Sequence, residues 1–193
     1  MSGIKTRLCA GRFQAAVVAH EGRIWAVGGC ESWNPLNSLE IYDPSTDSWT
    51  FGPSLNTPRR GCGLAVRKGQ LVVVGGTDGT QSMCTTEVLD LEENAWHPGP
   101  TMTFCRGNVS VAVVHDRLWA VGGFSGKTFL NTVEFLDAVT DEWTTYITVS
   151  EGGTGNKESP DVSEATASSE TKDDDLVKLA PVDTADEIRT DDS

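Results

Sequence analysis

Apolar residues in this chain come in pairs of short runs set about a polar turn, and the arrangement occurs three times. The first pair is Ala15 to Ala19 and Ile24 to Val27, separated by His20-Glu21-Gly22-Arg23. The turn becomes Lys68-Gly69 in the second occurrence and His115-Asp116 in the third. Runs of strand length about so short a polar break predict a β-hairpin. The second run of each pair, Ile24-Trp25-Ala26-Val27, Leu71-Val72-Val73-Val74 or Leu118-Trp119-Ala120-Val121, is apolar throughout. A strand without alternation is expected to be covered on both faces.

The hairpins belong to a longer repeat. Arg12, Arg59 and Arg106 recur at a step of 47 residues, as do the glycine pairs Gly28-Gly29, Gly75-Gly76 and Gly122-Gly123 and the tryptophans Trp49, Trp96 and Trp143. Each glycine pair ends the apolar strand where a side chain would obstruct a turn or a neighbouring backbone. An eight-residue loop leads to a third strand, Ser38 to Tyr42, Thr85 to Leu89 or Thr132 to Leu136. A tight polar turn, Asp43-Pro44-Ser45-Thr46-Asp47 in the first copy, then delivers the recurrent Trp on a fourth strand. Each copy is thus predicted to be a four-stranded antiparallel meander of the length of a propeller blade. The fold class expected is all-β, a partial β-propeller of three blades over about 8–54, 55–101 and 102–149.

Charge separates this region from the rest. The net charge of −13 is concentrated after Ser150, where 13 acidic residues face Lys157, Lys172, Lys178 and Arg189, leaving −9 in the tail and −4 in the repeats. Low hydrophobicity with excess charge predicts a disordered acidic tail over residues 150–193. No basic face is available to neutralise phosphates, so nucleic acid is not expected as a partner. No apolar run approaches the roughly 18 residues of a membrane span, so no membrane association is expected either. The cysteines Cys9, Cys30, Cys62, Cys84 and Cys105 form no CxxC pair and fall at different points of the repeat. Neither a disulfide framework nor a zinc site is expected, and a reducing cytoplasmic compartment is favoured, with the cytoskeleton and nucleus left open.

The doublet of glycines, the Tyr or apolar equivalent at Tyr42, Leu89 and Leu136, and the Trp seven residues later resemble the kelch repeat. The resemblance covers about Leu8 to Tyr146, and the segments Gly28 to Asn37 and Leu130-Asn131-Thr132-Val133-Glu134 are similar to the last three blades of BTB-kelch proteins. It implies a non-catalytic protein-interaction propeller, actin-associated or recruiting substrates to a ubiquitin ligase. An alternative is a fragment or isoform that pairs or competes with a full-length BTB-kelch protein. The family's BTB and BACK domains are absent here, so their functions do not carry over. Some kelch propellers are copper oxidases, but this chain has only two tyrosines for such a site, and His20, His97 and His115 lack metal-site spacing. No enzyme activity, cofactor or metal is expected.

Residues identical in every copy are expected to be structural. Each of Arg12, Arg59 and Arg106 is expected to satisfy loop carbonyls or the recurrent Glu40, Glu87 or Glu134, because a charge near the core must be paired. The six paired glycines and Trp49, Trp96 and Trp143 are assigned to packing. Recognition needs residues that differ between copies. The loops after the glycine pairs supply Ser32, Trp33 and Asn34, then Thr77, Asp78 and Gln81, then Phe124, Ser125, Lys127 and Phe129 as partner-binding candidates, with Trp33, Phe124 and Phe129 as aromatic anchors. Arg60 and Asn108, just after the recurrent arginines, join them. Relatives usually carry six blades, whereas three cover about half a ring. Its open flanks call for a second copy of the chain, a protein partner, or further blades of a longer gene product.

Overall fold

The computed structural model describes residues 7–146. Their strands form three four-stranded antiparallel sheets, and there is no helix among the described residues. In the first sheet β1 (Ala16–His20), β2 (Arg23–Val27), β5 (Leu39–Asp43) and β6 (Ser48–Phe51) lie side by side, and β3 (Cys30–Glu31) with β4 (Asn34–Pro35) forms a small hairpin. The second contains β7 (Gly63–Arg67), β8 (Gln70–Val74), β9 (Thr86–Asp90) and β10 (Ala95–Gly99). The third contains β11 (Ser110–Val114), β12 (Arg117–Val121), β13 (Val133–Leu136) and β14 (Trp143–Tyr146).

The innermost hairpins close on two-residue turns, and their chemistry suits the twist. Glu21-Gly22, Lys68-Gly69 and His115-Asp116 all have φ between 49° and 77°, the left-handed pair that a type I′ turn requires. Asn or Gly is usual there, so His115-Asp116 adopts the least favourable version.

Cross-strand register explains why β8 needs apolar residues on both faces. Leu71 and Val73 join Trp25, Val27, Leu39 and Leu64 in the core between the first and second blades, while Val72 and Val74 join Leu118, Ala120, Leu136 and Trp143 in the core between the second and third. The recurrent Trp lies at each junction. Trp96 Nε1 donates to Pro53 O at 2.9 Å and Trp143 Nε1 to Pro100 O at 3.0 Å, each reaching the linker of the preceding blade. Trp49, with no earlier blade beside it, stacks on Tyr42 at 5.4 Å and is half-buried.

The glycine pair is a junction device as well. Gly29 N donates to Arg59 O and Gly76 N to Arg106 O, both at 2.8 Å. A Cβ on Gly28 or Gly75 would sit 2.3 or 2.4 Å from those same carbonyls, and φ is about 60° at both. Successive blades therefore touch through backbone at a point where no side chain fits.

Each recurrent arginine ties its own blade to the incoming linker. Arg59 Nη1 donates to Gly75 O and Thr85 O, and Nε to Glu87, whose carboxylate also accepts from Asn56 N and Thr57 N. Arg106 repeats this with Gly122 O, Thr132 O and Glu134, the latter held by Thr103 N and Phe104 N. Arg12 does so with Gly28 O, Ser38 O and Glu40. Arg106 and Glu134 are both fully buried.

One expectation is corrected. Cys84 and Cys105, read from their unequal positions as unpaired, are joined in a disulfide. Main-chain bonds from Arg106 N to Met83 O and from Met102 N to Cys84 O hold their two segments together, a proximity that spacing within a repeat does not reveal. Cys30 and Cys62 are buried free thiols, and burial pushes Cys62 up to about 11. The acidic segment over residues 150–193, and residues 147–149 at the end of the third expected blade, lie outside the described residues.

Candidate functional site

Two variable segments of each blade meet at one end of the propeller, and backbone pairing is what brings them together. The residue after each recurrent arginine bridges the residue after each glycine pair: Phe13 with Cys30, Arg60 with Thr77, and Gly107 with Phe124. The next position, Gln14, Gly61 or Asn108, has φ between 51° and 58° in all three copies. That turn directs Gln14 and Asn108 at one another, with Gln14 Nε2 donating to Asn108 Oδ1 at 3.2 Å although 94 residues separate them. Gly61 lies between them, and a Cβ there would be 2.2 Å from Asn108 Oδ1.

Around this point the three blades line an open cavity of about 520 Å³. Six of the sequence candidates line it: Trp33, Arg60, Thr77, Gln81, Asn108 and Phe124. The wall is completed by Phe13 and Gln14 from the first blade, Gly79, Thr80 and Ser82 from the second, and Gly107 and Gly126 from the third. None of these seven had been singled out. Phe13 and Gln14 were legible in principle, since they occupy the positions of Arg60 and Asn108 and differ in every copy.

Three features set the chemistry. First, Trp33 is 74% exposed and has φ of 72°, a conformation that non-glycine residues rarely adopt. Ser32 and Trp33 form the two-residue turn of the β3–β4 hairpin, which holds the indole edge-on against Phe13 at 5.4 Å. Second, the Arg60 guanidinium makes no ion pair or side-chain hydrogen bond among the described residues, unlike the neighbouring Arg59. Third, the remaining lining is amide, hydroxyl and glycine backbone. The cavity thus offers an aromatic rim, one unpaired cation and uncharged polar groups.

The other candidates sit elsewhere. Asp78 closes its own loop, accepting from Gln81 N and from Thr80 N and Oγ1, and these bonds, Gln81 N foremost, hold its carboxyl below the usual range. Ser125 Oγ similarly accepts from Thr128 N at 3.1 Å. Phe129 is 89% exposed beside Phe124, 5.3 Å between ring centres, at the rim rather than in the wall. Ser32 and Lys127 are exposed loop positions and Asn34 is an exposed residue of β4, all outside the lining. On another part of the second blade, Asp90, Glu93 and His97 bring ligand atoms within 4.8 Å of one another. Asp90 there caps its turn by accepting from Glu92 N and Glu93 N, and His97 Nε2 lies 2.8 Å from Glu93.

Comparison with known proteins matches the Kelch motif at residues 11–56, 58–103 and 105–146. Among curated relatives, the human Kelch repeat and BTB domain-containing protein 13 is 35% identical over 54 residues, covering 28% of this chain and 12% of that protein. An F-box/kelch-repeat protein of Arabidopsis thaliana is 42% identical over 52 residues, covering 26% of this chain and 14% of the relative. The matched stretches are thus a small part of either relative. The solved structure of YjhT superposes with a TM-score of 0.63 at 17% identity, over 73% of this chain and 53% of that one, a likeness of fold.

Proposed function

Because the chain belongs to the kelch-repeat family, we propose that it is a non-catalytic protein-recognition module whose partner seats on the face carrying Trp33 and Arg60. The observation that carries this reading is the cavity built from all three blades, lined mostly by residues that differ between copies. Strain supports it too, because an exposed Trp in a left-handed turn is costly to the fold and is expected where function uses it. Relatives whose names join kelch repeats to a BTB or an F-box domain fit a modular arrangement in which the repeats supply recognition. Association with actin filaments and recruitment of a ubiquitin-ligase substrate are the two narrower forms of the proposal, and both would use this face.

Affinity capture with the wild-type chain and a Trp33→Ala/Arg60→Ala variant tests it, with Leu91→Ala as an exposed control in another strand turn. The double variant should lose the captured partners, by about tenfold or more in affinity if either residue is a hot spot, while the control keeps them. Equal capture by all three proteins would overturn the reading. Cosedimentation with actin filaments separates the two narrower forms.

A further inference from the structure

The blades have two kinds of flank. Directly opposed residues share a face, so on each blade one face is read across the strands and the other lies behind it. At the junction of the first two blades Trp25, Val27 and Ile41 from one flank meet Leu64, Leu71, Leu89 and Trp96 from the other. The second junction repeats the arrangement, with Val72, Val74 and Val88 meeting Leu118, Leu136 and Trp143. Both junctions therefore join a rear flank to a front flank.

Among the described residues one flank of each kind is left without a mate. The front of the first blade carries Val17, Ile24 and Phe51, exposed by 59%, 37% and 60%, around the Tyr42–Trp49 stack. Val17, Ile24, Tyr42 and Trp49 stand at the positions of Leu64, Leu71, Leu89 and Trp96 one repeat earlier. The rear of the third blade carries Val121 and Tyr146, exposed by 46% and 37%, about Trp119, whose ring lies 5.1 Å from Phe135 and 5.6 Å from Tyr146. Trp119, Val121 and Phe135 stand at the positions of Trp25, Val27 and Ile41 two repeats later. Trp119 Nε1 is also buried without a hydrogen-bond partner, whereas Trp25 Nε1 donates to His20 O.

We infer that the third blade of one chain docks its rear flank, through Trp119, Val121 and Phe135, on the Ile24–Trp49 front flank of a second copy. The two exposed surfaces are the halves of a junction that the chain already makes twice, and Trp119 with Phe135 offers the volume that Trp25 with Ile41 offers internally. Two copies related by a two-fold axis form this contact twice and close a ring of six blades, within the four to eight of known propellers. Because front meets rear, each junction joins unlike surfaces, and a change on either flank breaks both symmetry-related junctions of the ring. The inference stands apart from the recognition face, which neither flank includes.

Sedimentation of the full 193-residue chain tests it. The wild type should run at twice its 20.7 kDa chain mass at tens of micromolar. Val17→Glu and Val121→Glu change exposed positions, should keep the wild-type far-UV spectrum, and should each run as monomers. Mixed in equal amounts they should recover a heterodimer, since one chain retains its rear flank and the other its front flank. A wild-type monomer, a higher multiple, a dimer that survives Val121→Glu, or failure of the mixture to recover would each overturn the inference.

Discussion

At the scale of single residues, the recurring device is a buried arginine whose charge is met by one carboxylate and two carbonyls of its own blade. Breaking such a pair from one side leaves the other charge stranded, which makes it a strong constraint on the blade without making it a large source of stability. Glu40 shows how the pairing reports on pH. Burial pushes its carboxyl up, but N–H donors from Cys9 and Ala10 together with Arg12 overcome that and hold it below the ordinary 4.5. The folded chain then binds its proton less readily than the unfolded chain, so the contribution is complete above the ordinary value and is lost as pH falls through the folded one. Thermal melts should be insensitive to this group between about pH 7 and 5 and should decline below about 4.5. Glu40→Gln should flatten that acid limb, and an unaltered limb would contradict the assignment.

At the scale of elements, the glycine pairs and β8 decide how blades meet. Gly75→Ala puts a methyl 2.4 Å from Arg106 O at a φ of 59°, with backbone rather than a flexible side chain in the way. It should cost well over the ~1 kcal/mol of an unfavourable φ alone, read as a fall in denaturation midpoint. Gly11→Ala, with open space around it and no positive φ, should be near neutral. The elements themselves were largely legible, because apolar runs, turn residues and the Trp step all repeat with one period. Strand ends shifted by only a residue, with β5 beginning at Leu39 and β9 at Thr86 rather than at Ser38 and Thr85. The β3–β4 hairpin is not legible as more than a loop, since nothing in Ser32-Trp33 announces two left-handed residues in succession.

At the scale of the whole molecule, the blades are chemically alike and physically unequal. The second is covered on both faces, whereas the first and third each have an open flank. Amide exchange under conditions that keep the chain monomeric should therefore be slowest in β8, where Leu71, Val73 and Val74 are fully buried, and faster in β2 and β12. Equal protection in the three strands would show that the blades open as one unit. Half of the candidate site was also decided at this scale. Trp33, Arg60, Thr77, Gln81, Asn108 and Phe124 were found by asking which positions vary between copies, and the structure gathers them around one cavity. Asp78 and Ser125 met the same criterion yet close their own turns.

The sequence by itself determined the repeat, its four strands and the division between shared and variable positions. All of these follow from local periodicity, which three internal copies make visible without any knowledge of the fold. Tertiary structure alone decided which variable residues face each other, as in the Gln14–Asn108 contact across 94 residues, and that Cys84 meets Cys105. It also decided which flanks remain open. These depend on how one blade is turned against the next, a rotation set by summed packing at the junctions and written in no single segment of the chain.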